Sequence, residues 1–256
     1  MPKRNTQQRR RTILELIEQD GNVSVEHLAS TFSVSEVTIR KDLKELENNG
    51  LLVRRYGGAT AYPADLIQAS PSNELSMTKL AIARAASELI RDHNRIIIDS
   101  GSTTVAMLPE LNHRQGLVVM TNALSVANAL RELENEPTLL MTGGTWDTRS
   151  ESFQGQLAEQ TLRAYDFDQL FIGADGIDPE RGTTTYNELL GVSQVMADVS
   201  REVIVLAEAN KVGRKIHNLE LPWQRINTLV TERSIDDTTK QLISSQGVNV
   251  ICAPKQ

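Results

Sequence analysis

The chain has 256 residues, enough for one large domain or two of ordinary size. At 39 % hydrophobic it can bury a sizeable core, which excludes a disordered tail, and its single cysteine, Cys252, excludes an internal disulfide. The net charge of −6 argues against nucleic acid until its distribution is read: residues 1–60 hold 10 Lys/Arg against 8 Asp/Glu, leaving 17 and 25 for the remainder. A head of +2 on a body of −8 is the asymmetry expected when one module meets phosphate and the other does not. The four His (His27, His93, His113, His217) are scattered and no CxxC occurs, so neither a metal nor a cofactor is expected, and Cys252 reads as a small buried hydrophobe. No apolar run reaches the roughly 18 residues that span a bilayer, and no apolar stretch follows the basic N-terminus. The expectation is a soluble, cytoplasmic chain with no membrane partner.

In chain order, Ile13, Leu14 and Ile17 form a helical stripe that Asp20-Gly21-Asn22 ends. Ser24 can cap a second helix, 24–32, whose apolar residues Val25, Leu28, Ala29 and Phe32 fall at i, i+3, i+4 and i+7. A third helix runs to about Asn48 with Gly50 closing it. Its cap is either Ser33, in a capping box with Glu36, or Ser35. Its core stripe is Ile39, Leu43 and Leu46. The opposite face holds Val37, Lys41, Lys44 and Asn48, flanked by Thr38 and Arg40. Two short helices joined by a tight turn read as a helix-turn-helix, and an exposed Val37 suits a thymine methyl. Leu51 to Thr60 then reads as strand, Gly57-Gly58 turn and returning strand: a wing, with Arg54 and Arg55 placed to meet the sugar-phosphate backbone.

Ser35-Glu36-Val37-Thr38-Ile39-Arg40-Lys41-Asp42-Leu43, followed by Arg55-Tyr56-Gly57-Gly58-Ala59, resembles the DeoR family of bacterial regulators. The resemblance implies that the third helix is the recognition helix, with Ser35, Val37, Thr38, Arg40, Lys41, Lys44, Arg54, Arg55 and Tyr56 on double-stranded operator DNA. Asp42, at the edge of the core stripe, reads as structural, holding a basic group of the module.

Residues 61–76, with Pro63 and Pro71 and no periodicity, read as a linker between a DNA-binding domain at 1–60 and a second domain at 77–256. From Met77 the pattern alternates. Strand candidates are 95–99, 117–121, 138–142, 169–174, 202–207, 228–231 and 249–252. Helix candidates are 77–91, about 103–111, 123–133, 155–164, 187–199 and 236–246. That alternation predicts an α/β, doubly wound, mostly parallel sheet, with ligands beyond the carboxyl ends of the strands. There stand Asp99-Ser100-Gly101-Ser102-Thr103-Thr104, a phosphate-cradle candidate opening a helix, then Thr121-Asn122, Thr142-Gly143-Gly144 and Asp175-Gly176. Thr184 to Glu188 is expected to open another helix, and Lys211 follows the fifth strand. Small residues admit backbone N–H groups to an anion, a Lys takes phosphate and carboxylates take hydroxyls.

The DeoR resemblance extends over this region. It implies a domain similar in fold to ribose-5-phosphate isomerase that senses a phosphorylated sugar or sugar alcohol through Asp99–Thr104, Thr121, Asn122, Gly143, Gly144, Arg149, Ser152, Asp175, Glu188 and Lys211. One departure is visible: Glu208-Ala209-Asn210-Lys211 stands where the family usually shows D-S-S-K. Gly155 to Glu159 and Phe167 to Phe171 are most similar to the hexitol and amino-sugar branch, such as glucitol or galactitol repressors. The expected protein is a homo-oligomeric repressor of a sugar operon, dimer or tetramer, nucleoid-associated when bound and with no catalytic residues. The alternative is a sugar-phosphate isomerase with a DNA-binding head, in which Asp175, Asp178 or Glu188 is the base and Lys211 steadies charge.

Overall fold

The computed structural model describes residues 9–10, 12–14, 16–17, 22–48, 52–55, 57–60, 76–214 and 216–254. Linker residues 61–75, Gly21, Gly50 and Tyr56 lie outside the described residues. The chain divides into two compact units, Met1–Asn73 and Glu74–Gln256.

In the first unit, residues 9–10, 12–14 and 16–17 are helical, and two further helices span Val25–Phe32 and Glu36–Asn48. Ile13, Ile17, Leu28, Ile39, Leu43 and Leu46 are buried in one cluster, which is why the periodic stripes become helices here. Ser24 caps the helix Val25–Phe32 by accepting from the His27 N–H. The two cap candidates for the next helix have separate roles. Ser33 adopts the left-handed conformation that ends the preceding helix, and Ser35 Oγ accepts from the Thr38 N–H. Strands β2 (Val53–Arg55) and β3 (Gly58–Thr60) pair antiparallel, and β1 (Asn22–Ser24) adds to the other edge of β3. The expected Gly-Gly turn is corrected: of the two glycines Gly57 is in the turn, with φ 81°, while Gly58 lies in β3. Gly58 is required for a different reason, since a Cβ there would run into the Val23 carbonyl of β1. The Val25 N–H donates to the Gly57 carbonyl at 2.8 Å, tying the wing to the helix-turn-helix.

The second unit is built on seven parallel strands: β4 (Arg95–Ile98), β5 (Val118–Thr121), β6 (Thr138–Met141), β9 (Phe167–Ile172), β12 (Ser200–Leu206), β14 (Thr228–Glu232) and β15 (Asn249–Ala253). Their order is β15-β14-β12-β9-β4-β5-β6. Side chains alternate between two cores. Ile96, Ile98, Phe171 and Ile204 pack with helices Met77–Ser87 and Leu124–Arg131. Ile97, Leu170, Ile172 and Val205 pack with helices Gln156–Arg163, Gly191–Asp198 and Asp237–Ser245. Because both faces are covered, the strands read as continuous apolar runs. Cys252, expected to be buried, is half-buried on the edge strand β15.

Two small sheets complete the unit. β7 (Thr145–Asp147) and β8 (Ser152–Gln154) form a hairpin; β10 (Gly176–Asp178), β11 (Gly182–Thr185) and β13 (Asn218–Pro222) form an antiparallel trio. This corrects two expectations. Thr184 and Thr185 do not open a helix; they are the end of β11, paired with β13, and the helix begins at Gly191. The helix expected to reach Leu111 is one α-turn, Ser102–Val105, followed by a 3₁₀ turn at Leu108–His113. Pro109 accounts for the break, because its ring clashes with the carbonyl four residues back, that of Val105.

Candidate functional site

On the helix Glu36–Asn48, burial of Ile39, Leu43 and Leu46 turns Val37, Arg40, Lys41 and Lys44 outward. Val37 is 74 % exposed, on the same face as the basic side chains. The Ser35 and Thr38 hydroxyls lie 2.9 Å apart at the start of the helix. Arg40 Nη2 pairs with Glu36 Oε2 at 2.7 Å, one turn back, and both remain more than half exposed. Arg54 and Arg55 belong to β2, and only their backbone is described. Asp42, 3 % exposed, points inward: one oxygen accepts from Arg9 Nε at 2.7 Å and the other from Arg10 Nε at 2.9 Å. The first helix is thereby fixed to the third, with two arginines of the head sharing one carboxylate within the fold.

In the second unit the strand order reverses between β4 and β9: β5 and β6 extend one way, β12, β14 and β15 the other. Ligands of doubly wound sheets lie outside the carboxyl ends at such a reversal. Asp99 follows β4 there, with its N–H bonded to the Phe171 carbonyl of β9. Burial pushes the Asp99 carboxyl up to about 6; hydrogen bonding from Ser100 and the polarity of the neighbouring Asn122 amide oppose this, and the nearby charge of Asp175 adds to it. Asp175 accepts from Thr185 Oγ1 at 2.7 Å. Lys211 Nζ donates to the Ala174 carbonyl at 2.5 Å; burial lowers its pKa, opposed by the charges of Asp175 and Glu208. Asp99, Asn122, Asp175 and Lys211 are thus brought into one corner.

Other expected residues shape that corner. Thr104 Oγ1 donates toward the Asp99 and Gly101 carbonyls, and Thr121 Oγ1 accepts from the Ala123 N–H, so both hydroxyls hold the loops. Thr103 is buried, while Gly101 and Ser102 are exposed and Ser100 is half-buried. The first-turn N–H groups of Ser102, Thr103 and Thr104 have no helical carbonyl before them and can bind an anion. Gly144, with φ 118°, sits where a Cβ would lie 2.6 Å from the Gln154 carbonyl, while neighbouring Gly143 also has a positive φ, 62°. The β7–β8 hairpin closes onto the end of β5 through Phe153 N–H to the Asn122 carbonyl, 2.7 Å. On that hairpin Ser152 is buried, bonded to Ser150 and Gln154, and Arg149 is exposed. Glu188 is exposed between β11 and the helix Gly191–Asp198. A hollow of about 340 Å³ at the opposite, amino ends of the strands is lined by Arg95, Tyr165, Phe167, Asp168 and Arg201 and holds none of these residues.

Residues 9–63 match the DeoR-like helix-turn-helix domain, and residues 75–233 match the DeoR C terminal sensor domain. The chain belongs to the DeoR family. An Escherichia coli O157:H7 protein named for repression of the aga operon is 38 % identical over 252 residues, covering 96 % of this chain and 93 % of that one. The HTH-type transcriptional regulator GlpR of Haloferax volcanii is 31 % identical over 248 residues, 95 % of this chain and 96 % of the relative. Ribose 5-phosphate isomerase A of Methanocaldococcus jannaschii superposes with a TM-score of 0.40 at 19 % identity, over 54 % of each chain.

This DeoR protein is a DNA-binding transcriptional regulator and not an enzyme; its relatives are named as regulators along nearly their whole length. The isomerase alternative is therefore set aside. Of its proposed bases, Asp178 is buried and accepts from the Glu180 N–H in the β10–β11 turn. Among the described residues no helix is long and apolar enough to cross a membrane, and no group of three or more His, Cys, Asp or Glu could hold a metal ion. One residue of the corner escaped sequence reasoning: Glu220 on β13. In Asn218-Leu219-Glu220-Leu221 it looks like the solvent-facing member of an alternating strand, and no local signal marks it otherwise.

Proposed function

We propose that this regulator represses a sugar or sugar-alcohol catabolic operon and is released by a phosphorylated sugar effector. The recognition helix Glu36–Asn48 enters the major groove, where Val37, Thr38 and Arg40 face base edges and Ser35, Lys41 and Lys44 meet phosphates. Arg54, Arg55 and Tyr56 of the wing hold the backbone. The observation that carries this half is the exposed Val37 among basic side chains on the face opposite Ile39, Leu43 and Leu46. Two-fold related half-sites call for at least a dimer. The DNA-binding head is 1–60, joined by 61–76 to the sensing domain 77–256.

The effector occupies the carboxyl-end corner. Its phosphate lies against the N–H groups of Ser100–Thr104 and near Lys211, and its hydroxyls face Asp99, Asn122 and Asp175. Gly143, Gly144, Arg149 and Glu188 line the rim, with buried Ser152 beneath it. That Asn122 is buried with both amide atoms unpartnered supports a polar ligand there. The effector acts by binding the DNA-competent and DNA-incompetent states with different affinity.

The test is binding of the full chain to the DNA upstream of its own gene. Arg40→Ala should cost about 1–3 kcal/mol on the specific site and little on scrambled DNA. Equal loss on both sequences would make Arg40 a phosphate contact, and no loss would remove it from the interface.

A further inference from the structure

Glu220 has no part in that reading, and its placement is specific. Between β11 and β13 the register runs Thr183 to Leu221 and then Thr184 to Leu219, so Glu220 is the extra residue of a β-bulge. A bulge re-aims a side chain, and bulges gather beside functional sites. Here the Glu220 carboxyl accepts from Ser193 Oγ at 2.9 Å and lies 3.5 Å from Thr183 Oγ1. Burial pushes the carboxyl up to about 8, with the charges of Asp99 and then Asp175 adding to the rise, so the three acids lie within electrostatic reach of one another. At neutral pH Glu220 is therefore held largely as the acid, with an O–H to donate.

The corner is incomplete without a ligand. Asn122 is 1 % exposed and adjoins Asp99, yet neither its amide oxygen nor its nitrogen has a partner in hydrogen-bond range. A buried amide is unfavourable until it is paired. The Lys211 ammonium does not pair with it: its hydrogen bond goes to the Ala174 carbonyl, and its remaining N–H groups are left for the phosphate.

We propose that Glu220, Asp99, Asp175 and Asn122 form a subsite for the unphosphorylated end of the effector, selecting a tail of hydroxyls, or of hydroxyls and an ammonium group, against one carrying a carboxylate. This rests on the reading of the corner as a sugar-phosphate site. Carboxylates accept from ligand hydroxyls or an ammonium, and the Glu220 acid and the Asn122 amide donate to ligand oxygens. A ligand carboxylate would instead face the like charges of Asp99 and Asp175.

The experiment is calorimetric titration of the full chain with inorganic phosphate, glucitol 6-phosphate, glucosamine 6-phosphate and 6-phosphogluconate. Wild type should bind the hexitol and amino-sugar phosphates at least tenfold more tightly than 6-phosphogluconate. Glu220→Ala should lose at least tenfold toward the first two and leave inorganic phosphate unchanged. Glu220→Gln, which keeps a donor in the same place, should stay within about threefold of wild type. Equal affinity of the wild type for glucitol 6-phosphate and 6-phosphogluconate overturns the selection even if no variant folds. Phosphate binding with Glu220→Ala indifferent to every tail overturns the subsite alone. Absence of binding by every probe, inorganic phosphate included, overturns the pocket reading and the subsite with it.

Discussion

Removing the Asp42 carboxylate tests how the recognition helix is held. Arg9 and Arg10 are 12 % and 29 % exposed and both donate through Nε to one carboxylate that is 4 % exposed at its side chain. Truncation leaves two mostly buried guanidinium groups without their acceptor. Breaking a buried pair from one side costs roughly 3–5 kcal/mol, and the partial exposure of Arg10 places this case near the lower end. For Asp42→Ala the expected loss is therefore about 3 kcal/mol, and for Asp42→Asn, which keeps one amide oxygen, about half of that. Because the chain has two units, a single unfolding curve would mix them. The assay is amide hydrogen exchange on the full chain, read at Ile39, Leu43 and Leu46. Exchange there should speed up roughly a hundredfold in Asp42→Ala, with the Ile96–Ile98 amides of the second unit unaffected. Exchange within threefold of wild type in both variants would refute the clamp.

The stability of the second unit should fall as pH rises from about 4 to about 8. Asp99 and Glu220 are raised above their unfolded values to about 6 and about 8, so the folded state holds protons that the unfolded state has released. That contribution is complete below the unfolded carboxylate range and lost on passing through the folded values; Glu220→Gln should flatten the melting temperature against pH in this window, and an unchanged slope would contradict the shift. Gly144→Ala, whose Cβ would meet the Gln154 carbonyl at 2.6 Å, should displace the β7–β8 hairpin and blunt the response to effector while DNA affinity stays within about threefold; retained release in an anisotropy titration would count against it. Gly58→Ala should separate β1 from β3 and abolish DNA binding while leaving circular-dichroism melting of the second unit unchanged, and undiminished binding would show that the wing does not depend on that close approach.

The seven strands of the parallel sheet were legible because a strand covered on both faces must be apolar throughout, as in Ile96-Ile97-Ile98. Asp42 was legible because an acid at the edge of a core stripe needs a cation. The antiparallel trio was not. Thr183-Thr184-Thr185 has no alternating pattern, and its strand exists because Leu219 and Leu221 of β13 pair with it from some 35 residues along the chain. Glu220 was illegible for the same reason, since its direction is set by a bulge between two distant segments. The Gly57-Gly58 pair was read as one turn because nothing local separates a residue that needs positive φ from one that needs room beside Val23.

The central claim is that one molecule couples the recognition helix to the carboxyl-end corner. Its most direct test is fluorescence anisotropy of the full chain on its own upstream DNA, titrated with the hexitol and amino-sugar phosphates, for wild type and Lys211→Ala. Both proteins should bind sequence-specifically, with one phosphate releasing wild type and at least tenfold more of it needed for Lys211→Ala. Release of both proteins at the same concentration, or of neither by any phosphate, would contradict it.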